Sequence, residues 1–530
     1  MRASADDEST WEATTKDFAV RAVSRAVDRV AALSHPLTPH RRRRLTEAST
    51  ALAHRPLISV IMPVFDPPGR LLAQAISSVV TQVYGNWELC VADDASTSEE
   101  VRHILSSTTD ERIRVVRRSA NGHICAASNT ALTLAKGDVV ALLDHDDLLS
   151  PVALLHVALA MQRDDPPRVV YSDEDKVDAH GQRFDPYRKP PFNPDLLLSQ
   201  NVISHLGVYN RADANAVGGF RPGYEGSQDL DLALRMVELV GSDAVHHIPH
   251  VLYHWRTSTS STASRPGAKP YAASAAEQAV EDAIARRGFT ASVRRIAPGI
   301  QLRPPPGELP AVITTSDDAG AVHDVMVALA NTAADVIALV GRDVRCRDED
   351  LRLAAGHLDR PGVAAVVGSI RDRRGSLVDG PLCVHRSTHG PSAMGVLFAG
   401  SGPRPGGARY RAALQQEVFA GSWSLLVARR DVLLAHRDDL EHVPRPLADV
   451  ALGSLLHRGG RRTLWVPEVV ATAPDHGVRG RSRSLPEDFV AAYCQRKDPA
   501  LTEIGARPNG RRVRWGDARG LTEALDGTAR

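Results

Sequence analysis

Cysteine is scarce in these 530 residues and forms no pattern. Cys90, Cys125, Cys346, Cys383 and Cys494 make no CxxC pair, which excludes a cysteine-ligated zinc site and a disulfide framework and suits a reduced compartment. No run of eighteen apolar residues occurs, and the first residues carry acids where an export signal would carry basic and apolar stretches. A cytoplasmic protein, neither exported nor membrane-spanning, is therefore expected. Charge of either sign is not in excess: the formal net charge is +1 with 24% charged residues, leaving no electrostatic case for nucleic acid as a partner. Glycine-rich phosphate loops are missing as well. The first strand runs into Asp66-Pro67-Pro68-Gly69 rather than GxGxxG, and no GxxxxGK[ST] is found, which argues against a dehydrogenase and against a P-loop kinase or ATPase.

What is present is length for two substantial domains and an N-terminal piece. Residues 1–55 contain Val20, Val23, Val27 and Val30 at helical spacing, then the basic run Arg41 to Arg44. This reads as a helix packed on the next domain with a solvated basic turn. The alternative is a peripheral contact with the anionic face of the inner membrane, each surface arginine adding ~1 kcal/mol. Across 56–296 short apolar runs alternate with helical stretches, as in a mainly parallel sheet covered by helices on both faces. Strands are expected at 58–65, 87–92, 113–117, 139–144 and 168–173, with Ser150 and Pro151 opening a helix as N-cap and first residue. Pro298, Pro304, Pro305, Pro306 and Pro310 mark 297–310 as a linker. A second α/β region is expected over 311–480 and a basic tail over 481–530.

Ligands of an open parallel sheet bind beyond the carboxyl ends of its strands, and the acids of this chain fall there. Asp66 ends the first strand, Asp93 and Asp94 the second, and Asp144, His145, Asp146 and Asp147 the fourth. A lone Asp in such a place is as well explained as a turn or capping residue. Three carboxylates within four residues repel one another unless a cation is shared. Oxygen ligands of this kind suit Mg²⁺ or Mn²⁺ completed by substrate phosphates, so a metal-bound diphosphate is expected.

The succession ISVIMPVFDPP, CVADDAST, NGHICAASNTAL, AKGDVVALLDHDD, YSDEDK, GSQDLDLALR and HIPHVLYHWR resembles the family-2 inverting glycosyltransferases of the A-type nucleotide-sugar fold, especially large bacterial members that assemble O-antigen, rhamnan or galactan-type polysaccharides. The resemblance implies nucleotide-sugar contacts from Pro63, Phe65, Asp66, Asp93, Asp94, Asn121, Asn129, Asp144, His145 and Asp173. It implies metal binding by Asp146 with Asp144, Asp147 and His254, and a catalytic base at Asp229. Gln228 stands where the family usually has Glu before that base. Asp173, Glu174 and Asp175 read either as cleft residues or as a solvated turn. The implied partners are a nucleoside-diphosphate sugar and a glycan or lipid-linked acceptor; the implied reaction is one inverting displacement with Mn²⁺ or Mg²⁺.

Residues 311–480 resemble an eroded second copy of the same fold, keeping Asp343 from the acid cluster and Asp449 at the base position. Two other function classes stay open. A sugar-nucleotidyltransferase would carry a glycine-rich loop with Arg and Lys after the first strand, which Asp66 to Gly69 lacks. A non-catalytic sugar-nucleotide-binding scaffold of the assembly complex would be compatible with the worn second half.

Overall fold

The structure, a computed structural model, describes residues 37–257, 270–297, 299–316, 321–385, 392–402, 411–473 and 483–493. The valine-spaced stretch before residue 37 and most of the basic tail lie outside the described residues. The chain forms two compact units, one drawn from 1–189 and 202–279, the other from 190–201 and 280–530.

The first unit is built on nine strands: β1 (Ile58–Val64), β2 (Trp87–Asp93), β3 (Ile113–Arg117), β4 (Val139–Leu142), β5 (Leu148–Leu149), β6 (Val169–Val177), β7 (Arg183–Tyr187), β8 (Gly207–Asn210) and β9 (Val245–Arg256). Their order is β3-β2-β1-β4-β8-β6-β9-β5, with β7 beside β6. From β3 to β4 the pairing is parallel; β8 runs antiparallel to both β4 and β6, and β9 lies parallel to β6. The central β1 is buried on both faces, with Ile58, Val60, Ile61 and Met62 at most 1% exposed, which explains why its sequence is an apolar run broken only by Ser59 and not an alternation. Helix Gly69–Val80 turns Leu72, Ala75, Ile76 and Val79 inward and leaves Gln74 and Ser77 outside. Helix Glu99–Ser106 starts where Ser98 Oγ accepts from Val101 N (3.3 Å), with Glu99 and Glu100 in its first turn.

Two local expectations change. Arg41 to Arg44 lie inside helix Pro39–Thr50, not in a turn, because Thr38 Oγ1 caps it at Arg41 N and Pro39 occupies the first position. The helix expected at Ser150-Pro151 starts instead at Ala153. Leu148 and Leu149 pair with β9 and Ser150 N donates to Leu252 O (2.8 Å), so the chain stays extended up to that point.

In the second unit, strand Ala311–Thr315 runs parallel to Val336–Gly341, which is antiparallel to Leu425–Arg429. That strand is antiparallel to Val363–Arg371, which runs parallel to Arg462–Thr472, itself antiparallel to Arg345–Cys346. This repeats the connectivity of β1, β4, β8, β6, β9 and β5; among the described residues β2 and β3 have no counterpart. The hairpin turns agree in detail. Asp178 Oδ1 accepts from His180 N and Gln182 N (2.9 and 2.8 Å), and Asp372 Oδ1 from Arg374 N and Ser376 N at the same distances. Gly181 and Gly375 follow at φ 81° and 78°, a conformation that favours glycine. The stretch 297–310 contains strand Ile300–Arg303, paired with Ser292–Arg295.

Residues 190–201 are held within the second unit. Asn193 exchanges hydrogen bonds with the backbone of Glu417 (Nδ2 to O 2.8 Å, N to Oδ1 3.1 Å). Asp195, 2% exposed, bridges Arg360 and Arg462.

Candidate active site

The acidic loop between β4 and β5 is clamped by the end of β9. Asp147, 1% exposed, accepts from Tyr253 Oη (2.6 Å) and from Arg256 N (2.7 Å), while Arg256 Nε donates to Asp146 O (2.7 Å). Tyr253 Oη also accepts from Asp144 N (3.3 Å). Burial, and after it the neighbouring carboxylates, Asp144 among them, raise the carboxyls of Asp146 and Asp147 above their ordinary range.

The loop entering β8 adds a cation. Ligand atoms of Asp144, Asp147 and His205 lie within 4.8 Å of one another. His205 stacks on Tyr253 with ring centroids 4.5 Å apart, and its Nδ1 lies 3.3 Å from Glu174 Oε2. Burial alone would lower the His205 imidazole, but Glu174, Asp144 and Asp147 outweigh it and raise the group to about 9. Beneath it, fully buried Lys189 donates from Nζ to Glu174 Oε2 (3.1 Å). Burial works against the Glu174 carboxylate, yet Lys189 and His205 hold it down at about 2. Sequence reasoning missed His205 and Lys189, since neither has a metal-ligand or catalytic spacing; His205 inside the apolar stretch Val202 to Tyr209 was the one available signal, and Lys189, between Arg188 and Pro190, offered none.

The residues expected at the nucleotide are placed at the strand ends, several with their polar atoms already engaged. Asp66, at φ 43°, accepts from Ser98 N (2.9 Å) and Thr97 Oγ1 (2.8 Å); the Ser98 bond above all holds its carboxyl below the usual range. Asp93 receives Ser96 N (2.8 Å) and Arg117 Nη1 (2.6 Å), and Asp94 receives Gly122 N (3.0 Å) and forms an ion pair with Arg118 (Nε to Oδ1 2.7 Å). Phe65 is 47% exposed. Pro63 O meets His145 Nδ1 at 3.1 Å, and Asn121 Oδ1 accepts from His123 N (3.2 Å). Asn129 clamps the backbone of Phe220 through both N–H and C=O (2.8 and 2.7 Å). That clamp needs Gly219, at φ 65°, because a Cβ there would come within 2.4 Å of Asn129 Oδ1. Asp173 is 1% exposed and takes Lys189 N (2.9 Å), His247 Nε2 (2.8 Å) and Arg188 Nη1 (3.2 Å). His254 Nδ1 pairs with Asp175 Oδ1 (2.6 Å). Of the expected metal ligands, Asp144 and Asp147 fall in the cluster, and His205 stands in it where Asp146 and His254 do not.

Asp229 is the second residue of helix Gln228–Val240. It lines one pocket with Pro63, Asp144, Ser204, His205, Phe220 and Tyr253. Burial raises its carboxyl above the ordinary value, with His205 opposing. A carboxylate so adjusted at a pocket wall is suited to taking a proton.

The second unit keeps the frame of this site with different side chains at the equivalent positions. The turn that bonds Asp147 N to Asp144 O (3.2 Å) recurs as Val344 N to Gly341 O (2.9 Å). Arg342 and Asp343 therefore stand where His145 and Asp146 do. Opposite the next short strand, Tyr253 and His254 become Ala471 and Thr472. Their partners Glu174 and Asp175 become Ile370 and Arg371. Asp449 is 1% exposed and accepts from Trp423 N (3.2 Å).

The profile of Glycosyl transferase family 2 matches residues 59–218. Over 245 residues the chain is 48% identical to protein y4gI of Sinorhizobium fredii, covering 46% of this chain and 27% of that one. It is 39% identical over 259 residues to the O-antigen biosynthesis protein RfbC of Myxococcus xanthus (48% and 20%). Against the colanic acid biosynthesis glycosyl transferase WcaA of Escherichia coli it is 30% identical over 191 residues, 35% of this chain and 68% of WcaA. The chain belongs to glycosyl transferase family 2, with relatives in polysaccharide biosynthesis, and it spans about a quarter or less of the first two of these relatives. Among the described residues no helix is long and apolar enough to cross a membrane.

Proposed function

We propose that the first unit transfers a sugar from a nucleoside-diphosphate donor to a glycan or lipid-linked acceptor of a bacterial surface polysaccharide, with inversion, and that the second unit is a non-catalytic repeat. The observation that carries this is the single pocket shared by Asp144, His205 and Asp229. Two carboxylates and an imidazole, with Asp146 adjacent, form a donor set compatible with Mn²⁺ or Mg²⁺, the imidazole giving up its proton when it ligates. A divalent ion bound there would supply Lewis-acid neutralisation of the departing diphosphate. Tyr253 and Arg256 hold Asp147 in place, and Asp229 takes the proton of the acceptor hydroxyl as it attacks. That base contributes about 10²- to 10⁴-fold.

The lack of counterparts to β2 and β3 among the described residues and the exchanges to Gly341, Val344, Ile370 and Thr472 support a second unit without donor chemistry. Exposed Arg41 and Arg44 would favour an anionic membrane surface by ~1 kcal/mol each.

The test is donor hydrolysis and transfer across UDP-, dTDP- and GDP-sugars with Mn²⁺ or Mg²⁺. Metal-dependent turnover of one donor, lost in Asp144→Ala and Asp229→Asn, is the expected result. Nucleotide binding without turnover for any donor and acceptor would replace the transferase by a scaffold.

A further inference from the structure

The chain leaves the first unit after Lys189 and returns to it at Val202. The returning loop carries two pocket residues, Ser204 and His205, and Ser204 sits at φ 34°, a costly conformation for a residue with a side chain. Something has to hold this loop, because β8 begins only at Gly207. Lys189 is placed to do so. Its side chain is 0% exposed and its Nζ donates to Ile203 O (2.9 Å), His205 O (2.6 Å) and Glu174 Oε2 (3.1 Å), using all three N–H bonds of the ammonium. Glu174 Oε2 in turn accepts from His205 N (3.3 Å), and Lys189 N is tied to Asp173 Oδ1 (2.9 Å). An ammonium buried at this depth is costly, and an unbranched apolar side chain would fill the same space. What lysine alone supplies is three directed bonds converging on the backbone that presents His205.

We propose that Lys189 is a positioning residue, which fixes Ser204 and His205 at the donor pocket by stapling the two ends of the excursion made by residues 190–201. The proposal rests on the transferase reading of that pocket for its kinetic consequence, but not for its structural one. It makes Asp173 and Glu174 parts of the same staple.

The full chain carrying Lys189→Met, which keeps the length and removes the donors, is compared with the parent, with His205→Ala and with the double variant. Expected is a fall in kcat of about 10- to 100-fold, the cost of a small misplacement at a reacting centre, with donor KM changed less than about threefold. On the His205→Ala background the same substitution is expected to cost less than about twofold more, since the two act as one unit. Amide exchange in residues 202–206 is expected to speed up about tenfold or more while β1 and β4 keep their protection. Folded Lys189→Met with parental kcat and parental exchange overturns the proposal, as does a full loss repeated on the His205→Ala background. Should the parent turn over no donor, the transferase reading fails and exchange alone decides the role of Lys189. Should Lys189→Met not fold, Glu174→Gln, which keeps an acceptor but removes the counter-charge, must loosen 202–206 in the same sense; parental exchange there overturns the proposal.

Discussion

Asp229 and Asp449 occupy equivalent helices of the two repeats, and substituting each separates chemistry from architecture. Asp229 lines the pocket, and burial already raises its carboxyl, so Asp229→Asn removes a proton acceptor without emptying space. A lost general base costs about 10²- to 10⁴-fold, or about 3 to 5 kcal/mol in the barrier. A neutral amide carries no charge to desolvate, and stability should stay within about 0.5 kcal/mol. Asp449 is buried and accepts from Trp423 N, so Asp449→Ala strands that N–H at a cost of about 1 to 3 kcal/mol, lowering the melting temperature of a unit this size by about 2 to 4 °C per kcal/mol. Its turnover per folded molecule should match the parent. The assay pairs single-turnover transfer of whichever donor the panel identifies with a thermal melt. If Asp449→Ala abolishes transfer while melting normally, the chemistry belongs to the second unit; if Asp229→Asn keeps more than about a tenth of the rate, another group is the base.

Three further outcomes follow from particular contacts. Asp195→Ala leaves Arg360 and Arg462 without their shared carboxylate inside the second unit and should cost about 3 to 5 kcal/mol in urea unfolding; a change below about 1 kcal/mol would show the triad adds nothing. Tyr253→Phe removes a donor to buried Asp147. It should weaken Mn²⁺ binding, read by calorimetry, about 10- to 100-fold, whereas an unaltered affinity would deny that Asp147 matters to the ion. In the first unit, burial raises the Glu88 carboxyl, but Ser59, Lys136 N and Arg114 more than offset it and hold the group below its ordinary range. Because the folded pKa is the lower one, its contribution is complete above the unfolded value of about 4.3 and fades as pH falls through the folded value. Glu88→Gln should therefore flatten the acid limb of the stability curve below about pH 4.3 and leave the neutral-pH slope untouched.

The parallel half of the fold was legible because burial on both faces writes itself into β1 and β2 as apolar runs broken only by Ser59, Glu88 and the terminal Asp93. The acid cluster was legible because the loop after β4 is local. Less visible was everything that depends on distant pairing. Ser150-Pro151 carries a local signal for a helix start, which loses to the pairing of Leu148 and Leu149 with β9. His205 comes to Asp144 and Asp147 only because β8 lies between β4 and β6, an adjacency that no spacing encodes. For the same reason the carboxylates of Asp66, Asp93 and Asp94 could be placed at the strand ends, but not seen to be bonded to loop amides and arginines there.

The comparison of the two repeats shows why the frame can outlast its site. The clamp on Asp147 is polar and interlocking: a buried carboxylate, a tyrosine hydroxyl and a backbone amide that must all be present, because removing one strands the others. The second unit has exchanged the set together, with Val344 for Asp147, Ala471 for Tyr253 and Ile370 for Glu174. Each replacement is apolar and buried, so no orphaned polar group is left behind, and turn and strand order persist. A single step back, Val344→Asp, would bury a carboxylate facing Ala471 in place of a phenol, without its clamp. It should destabilise the unit by several kcal/mol and confer no metal dependence, whereas Asp147→Val in the first unit should abolish metal-dependent turnover. Regaining the first unit's arrangement there would need the whole polar set at once.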